Sequence, residues 1–213
     1  MTDKFEENPE FITLSNFDLK RENIKEIYNI DKLIEVIPEI LTSDIIGFDS
    51  EFISSHIPCQ FPEMFILQLA TRNQCFVINV KILKKKAVFT DFCREILERK
   101  NILKIGFSAN DDLIYLKKSL GIENLKCNNL IDLFEIIKLK KKKEINLKNV
   151  CSLFFEKKMD KSEQFSNWGQ IPLREAQIIY AALDAMCLVR VFEILSLEKE
   201  FEYQEFVKNY LIN

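Results

Sequence analysis

The segment IIGFDSEF, residues 45–52, decides how the rest of the chain is read. Its β-branched and large apolar residues mark a strand, and successive side chains of a strand point to opposite faces. Asp49 and Glu51 therefore project from one face, and Phe48 and Phe52 from the other. A strand this apolar belongs near the centre of a sheet, where two adjacent carboxylates are costly unless a cation neutralises them. The plainer alternative is a solvated strand end, and an Asp-x-Glu pair alone does not decide between the two.

Upstream, IKEIYNI (24–30) reads as a short edge strand, and Asp31 is placed to cap a helix over about 32–41 that turns Leu33, Ile34, Ile37 and Ile40 inward. Downstream, FILQLAT (65–71) and CFVINV (75–80) are separated only by Arg72, Asn73 and Gln74, which implies an antiparallel hairpin. The helical pattern of 87–100 leads to the strand ILKIGFS (102–108), a connection long enough for a parallel crossover. From Asp111 a helix carries Leu113, Leu116 and Leu120 and stops at Gly121. LKCNNLIDL (125–133) holds a further short strand, and helices follow near 131–140, 147–156 and 173–198, the last beginning beside Pro172. The fold class is α/β: a mixed sheet, antiparallel then parallel, flanked by helices and closed by a helical C-terminal layer.

With 213 residues, 47% of them hydrophobic and 18 of them phenylalanine, the chain has the makings of one packed domain. The expected organisation is a polar N-terminal extension (1–23), one domain (24–198) and a C-terminal helical extension (199–213). No run approaches the ~20 apolar residues needed to cross a bilayer, and the first ten residues carry no apolar core of a leader, so an intracellular protein with no membrane partner is expected. The six cysteines form no C-x-x-C pair and read as reduced core residues. One histidine, His56, argues against zinc and is assigned an ordinary surface role. A net charge of −3 argues against a protein that coats nucleic acid by global electrostatics. Two bound divalent cations would bring that charge to about +1, which no longer repels phosphate.

Two other segments carry candidate chemistry. In IIYAALDAM, Tyr180 and Asp184 are four residues apart and share one helix face, although a core tyrosine and a marginal aspartate would fit the same pattern. In KIGFSANDDLIYL (104–116), Asp111 and Asp112 open a helix; capping is the plainer reading for either, and is preferred for Asp111. The basic run of Lys138, Lys140, Lys141, Lys142 and Lys143 reads as a solvated helix end or as a guide for phosphates, and Trp168 reads as core rather than as a stacking platform.

FDSE, KIGFSANDDLIYL and YAALD occur in the order and spacing of the DEDDy 3′–5′ exonucleases, which the chain resembles from about residue 24 to 198. The stretch DKSEQFSNWGQIPLREAQIIYAALDA (160–185) is similar to ribonuclease D, the Werner-type exonuclease domain and the Nibbler-type trimmers almost throughout. The resemblance implies a ribonuclease H-like fold and a catalytic set of Asp49, Glu51, Asp112, Tyr180 and Asp184. The spacing from Gly106 and to Leu116 selects Asp112 over Asp111. The four carboxylates would hold two divalent cations, Mg2+ or Mn2+. Asp49 would bridge both ions, Glu51 and Asp184 would complete the nucleophile-side ion, and Asp112 would help hold the other. Tyr180 would orient the attacking water. Phe52 and Leu67 would line the pocket for the terminal base, and Lys140 to Lys143 would bind the incoming strand. The implied substrate is single-stranded nucleic acid with a free 3′ hydroxyl, RNA favoured over DNA, and the product a nucleoside 5′-monophosphate. The rival reading from another class is a catalytically silent nucleic-acid- or protein-binding module that keeps the fold.

Overall fold

The computed structural model describes residues 10–53, 62–140 and 145–197. Six strands form one sheet in the order β1-β4-β3-β2-β5-β6, comprising Ile24–Ile27 (β1), Ile45–Ile53 (β2), Glu63–Ala70 (β3), Cys75–Asn79 (β4), Leu103–Gly106 (β5) and Leu130–Asp132 (β6). β2 is central, as its apolar composition predicts, with β3 antiparallel on one side and β5 parallel on the other. The β3–β4 hairpin closes with Ala70 opposite Cys75. β1 lies at the edge, parallel to β4, and β6 is parallel to β5 at the other edge. The mixed sheet with antiparallel and parallel strands is therefore as expected.

Helices cover both faces. On one lie α1 (Ile30–Thr42), α3 (Ala87–Glu98) and α4 (Asn110–Leu120), packed on Phe48, Phe76 and Leu69; a single turn, α2 (Val80–Leu83), follows β4 directly. On the other lie α5 (Leu133–Lys140), α6 (Leu147–Phe155) and α7 (Glu175–Leu197). α7 shows apolar residues all round because sheet, α6 and the N-terminal segment enclose it. It meets the sheet at Gly47, where a β-carbon would stand 2.1 Å from the Ala185 carbonyl oxygen. Only glycine allows that contact, and it brings the turn holding Asp184 onto the strand holding Asp49.

The helix starts differ from expectation. Asn29, not Asp31, caps α1, its side chain accepting from Lys32 N at 2.9 Å; Asp31 lies inside the first turn. Asp111 is likewise inside α4, whose cap is Ala109, and the amides there are satisfied from outside by Asp132. α7 starts at Glu175, three residues beyond Pro172, where Gln177 Oε1 accepts from Arg174 N at 2.9 Å. The strand expected in LKCNNLIDL is confined to its last part, because Asn129 takes a positive φ of 54° just before it. Gly121 ends α4 with φ 68°, as anticipated. Among the described residues no helix is long and apolar enough to cross a membrane. Cys75, Cys93, Cys151 and Cys187 are buried free thiols, and Cys127 is a partly exposed one. His56, Cys59 and Lys141 to Lys143 lie outside the described residues.

Candidate active site

Asp49 and Glu51 leave β2 on the α7 face, and Asp184 leaves α7 opposite them. Asp112 arrives from the first turn of α4, which begins four residues beyond the end of β5. Its carboxylate accepts a hydrogen bond from the Ser50 hydroxyl, while the Ser50 amide donates to Asp49 Oδ1 at 2.9 Å. Ser50 thus links two of the acids across the strand. Asp112 is 7% exposed and Asp184 3%, whereas Asp111 faces solvent. The fold gathers all four sequence-selected acids and Tyr180 at one place.

The electrostatics follow from burial. Glu51 is pushed up to about 8, by desolvation first and then by Asp184. Asp112 is pushed up to about 7 by desolvation, against the opposing Ser50 hydrogen bond. Asp49 stands well above the usual carboxylate range through burial and then the charges of Asp112, Asp184 and Glu51. Asp184 is raised by burial although Lys161 and Tyr180 both favour its ionised form. Such a cluster lacks positive charge.

Part of that charge comes from Lys161, which sequence reading missed. Its Nζ donates to Asp184 Oδ1 at 3.1 Å, to Oδ2 at 3.2 Å and to the Tyr180 hydroxyl at 3.1 Å, and it sits 5.0 Å above the Tyr180 ring centroid. Burial lowers the Lys161 pKa, and Asp184 together with Asp49 and Glu51 more than reverses this, so the ammonium is held charged. Among the described residues, no three His, Cys, Asp or Glu side chains stand close enough as they lie to cage a metal ion.

The model of the 3′–5′ exonuclease family matches residues 24–200. The chain belongs to that family. It is 28% identical over 201 residues to the exonuclease mut-7 homolog of Aedes aegypti, covering 86% of this chain and 27% of that protein. It is also 28% identical over 184 residues to ribonuclease D of Desulfotalea psychrophila, covering 85% of this chain and 46% of that one. The structure of the Aedes aegypti Nibbler EXO domain superposes with a TM-score of 0.78 at 25% identity, covering 89% of this chain and 96% of the other. The chain spans about a fifth to a third of the length of the mut-7 relatives. The DEDD-type resemblance and the ribonuclease H-like fold read from the motifs are both supported.

Three further side chains shape this candidate site. Gln68, fully buried on β3 opposite Asp49, donates to Glu51 Oε1 at 3.1 Å. Asp132 accepts from Ser108 N at 2.8 Å, Ala109 N at 3.0 Å and Phe134 N at 2.9 Å, fastening the turn that aims Asp112. Gln177 donates to Ser166 Oγ at 2.9 Å and to the Asn167 carbonyl at 3.1 Å, tying the loop after Lys161 to α7. Apart from its place in the quoted 160–185 stretch, Lys161 carried no local signal, and Gln68 and Asp132 carried none. Of the residues expected at the terminal base, Phe52 is accessible and packs on Tyr115 at 4.9 Å between ring centroids. Leu67, at 1% exposure, belongs to the core on the α4 face and presents no open wall, because its strand position points it beneath α4. Trp168 is buried, 5.8 Å from the Tyr180 ring. Lys138 lies over Phe134, and Lys140 is the last residue of α5.

Proposed function

We propose that the chain is a metal-dependent 3′–5′ exonuclease that hydrolyses single-stranded nucleic acid from a free 3′ hydroxyl end, RNA in preference to DNA, releasing nucleoside 5′-monophosphates. The observation that carries this reading is the gathering of three buried carboxylates, Glu51, Asp112 and Asp184, and the half-buried Asp49 near Tyr180, with Lys161 supplying a positive charge among them. A fold under selection for packing alone would replace such a cluster with apolar residues, because each uncompensated buried charge is costly.

The donor set fits hard divalent cations: Asp49, Glu51, Asp112 and Asp184 offer only carboxylate oxygens, which suit Mg2+ or Mn2+. When bound, a pair of such ions supplies an activated water and stabilises the leaving oxygen of an in-line displacement. The protein's own groups do the positioning. Lys161 holds the Asp184 oxygens that a cation would take, so its ammonium is a placeholder within the site. Tyr180, whose hydroxyl stays protonated because burial and Asp184 raise its pKa, orients the attacking water by hydrogen bonding. Ser50 holds the Asp112 carboxylate directly, and Asp132 fixes the turn that leads into its helix. Lys140 to Lys143 guide the incoming strand by its phosphates.

The test is incubation of 5′-labelled single-stranded RNA and DNA with Mn2+, Mg2+ or chelator. A ladder shortening from the 3′ end with metal and absent with chelator is expected, and Asp49→Ala should abolish it. Oligonucleotide bound but uncut under every metal condition would favour the binding-module alternative.

A further inference from the structure

A pocket of about 350 Å³ opens beside the carboxylate site, and Tyr180 and Asp184 belong to the wall the two share. Three segments build it. α7 contributes the stripe that includes Ile179 and Tyr180, and the loop after α6 contributes Met159 and Asp160. The third wall is Phe11 to Leu14, ahead of residue 24, where the match to the exonuclease family begins. That segment is fastened to the domain: Ile12 N donates to the Lys158 carbonyl at 2.9 Å, and Lys158 N donates to the Glu10 carbonyl at 2.8 Å. Ile12 and Phe17 are buried in the core, and Phe17 packs edge-on against Phe155 at 5.1 Å.

The lining selects its guest. Most of the wall is apolar, and the charged groups at its margin are the carboxylates of Asp160, Asp184 and Glu163, with Asp184 already paired to Lys161 Nζ at 3.1 Å and Glu163 to Arg174 Nη1 at 3.1 Å. A phosphate there would meet Asp160 and two carboxylates whose cations are already engaged. An uncharged ring with N–H edges would instead find apolar faces and acceptor oxygens. The volume lies near the small end of ligand cavities, which run ~300–1,000 Å³, and suits one nucleobase with its sugar.

We propose that this pocket is a base-binding subsite for one of the two nucleotides flanking the scissile phosphate, and that Phe11 supplies the aromatic wall that makes it one. The assignment rests on the exonuclease reading and adds to it a specificity determinant lying outside the shared family region. It concerns the α7 face, whereas Phe52 lies on the α4 face of the sheet.

The experiment measures binding of the full chain, in chelator so that the ligand survives, to a 5′-labelled single-stranded oligonucleotide by fluorescence anisotropy. The ligand is either intact or carries one abasic site at the last or the penultimate position. In the parent, the abasic change at one of these positions should weaken binding ~5–150-fold, the range for one stacked base. In Phe11→Ala the intact ligand should bind weakly by a similar factor, and the abasic penalty at that position should vanish. Phe11→Trp should retain the penalty. Should Phe11→Ala lower the melting temperature, Phe11→Leu, which keeps the apolar packing and removes the ring, must show the same lost penalty. An abasic penalty of equal size in parent, Phe11→Ala and Phe11→Leu overturns the subsite. Failure of the exonuclease reading is distinct: the parent would then leave both oligonucleotides uncut with Mn2+, whatever stands at position 11.

Discussion

Lys161 Nζ lies 3.1 Å from Oδ1 and 3.2 Å from Oδ2 of Asp184, so one ammonium straddles both oxygens of a buried carboxylate. Removing one partner of a buried pair leaves the other charge uncompensated, a loss of ~3 kcal/mol at the lower end for a lysine that keeps some exposure. Lys161→Met should therefore lower the metal-free melting temperature, and Mn2+ should restore more in the variant than in the parent, since the ion no longer competes with an ammonium. Equal Mn2+-induced shifts in the two proteins would remove Lys161 from the role of placeholder.

The pH dependence has a defined sign. Asp49, Glu51, Asp112 and Asp184 all bind protons more tightly in the folded chain than ordinary carboxylates do, burial being the first cause in each. Between the ordinary value near ~4 and the Glu51 value of about 8, the folded state holds more protons than the unfolded chain, so this contribution to stability falls as pH rises. In chelator, stability should decline through that window, less so for Glu51→Gln, and added Mn2+ should flatten the decline. Thermal melting across the window checks this. A contribution from Glu51 that rises with pH would contradict the assignment.

Asp112→Asn should cost far more activity than Asp111→Asn, because Asp112 is buried against Ser50 while Asp111 faces solvent. Ser50→Ala should fall between them, since it removes a hydrogen bond to the carboxylate but not the carboxylate. The reverse order in single-turnover assays would place the second motif one residue out of register.

Tyr180→Phe removes a hydroxyl that meets Lys161 at 3.1 Å and leaves the ring packed on Trp168. Turnover should fall ~10²-fold or more, the cost of misplacing a reacting water, with substrate affinity nearly unchanged. Parental turnover in the variant would remove the hydroxyl from the mechanism.

Asp132→Ala leaves three backbone amides without their carboxylate, including those of Ser108 and Ala109 at the entry to α4. Hydrogen bonds to charged groups contribute ~1.5–3 kcal/mol, so chemical denaturation should show a loss of about 3 kcal/mol, with turnover reduced because Asp112 loses its fixed approach. A loss below about 1 kcal/mol would show that these amides find other partners.

Much of this was legible along the chain. The alternation in IIGFDSEF put Asp49 and Glu51 on one face, and the three-residue gap before Cys75 made a hairpin. Caps were read less well: Asp31 and Asp111 satisfy local capping rules, yet Asn29 caps α1, and at α4 the distant Asp132 binds the two amides that lead into the helix. A cap requires only an acceptor at the right distance from free amides, and such an acceptor need not be near in sequence. Leu67 looked available to a base until burial placed it under α4.

Strand alternation and helix periodicity are local properties, set by backbone geometry within a few residues, so residue order alone specifies the sheet, the faces of its acids and the pairing of Tyr180 with Asp184 on one helix side. The distances between segments depend on how closely the elements pack. Gly47 lets α7 approach β2 until Asp184 meets the Asp49 strand, and that approach carries Tyr180 to Lys161, nineteen residues earlier in the chain. The pairing of Lys161 with Asp184, the linkage of Ser50 to Asp112 and the wall that Phe11 adds beside Tyr180 exist only once the helices are seated on the sheet, because each joins side chains whose separation no local rule determines.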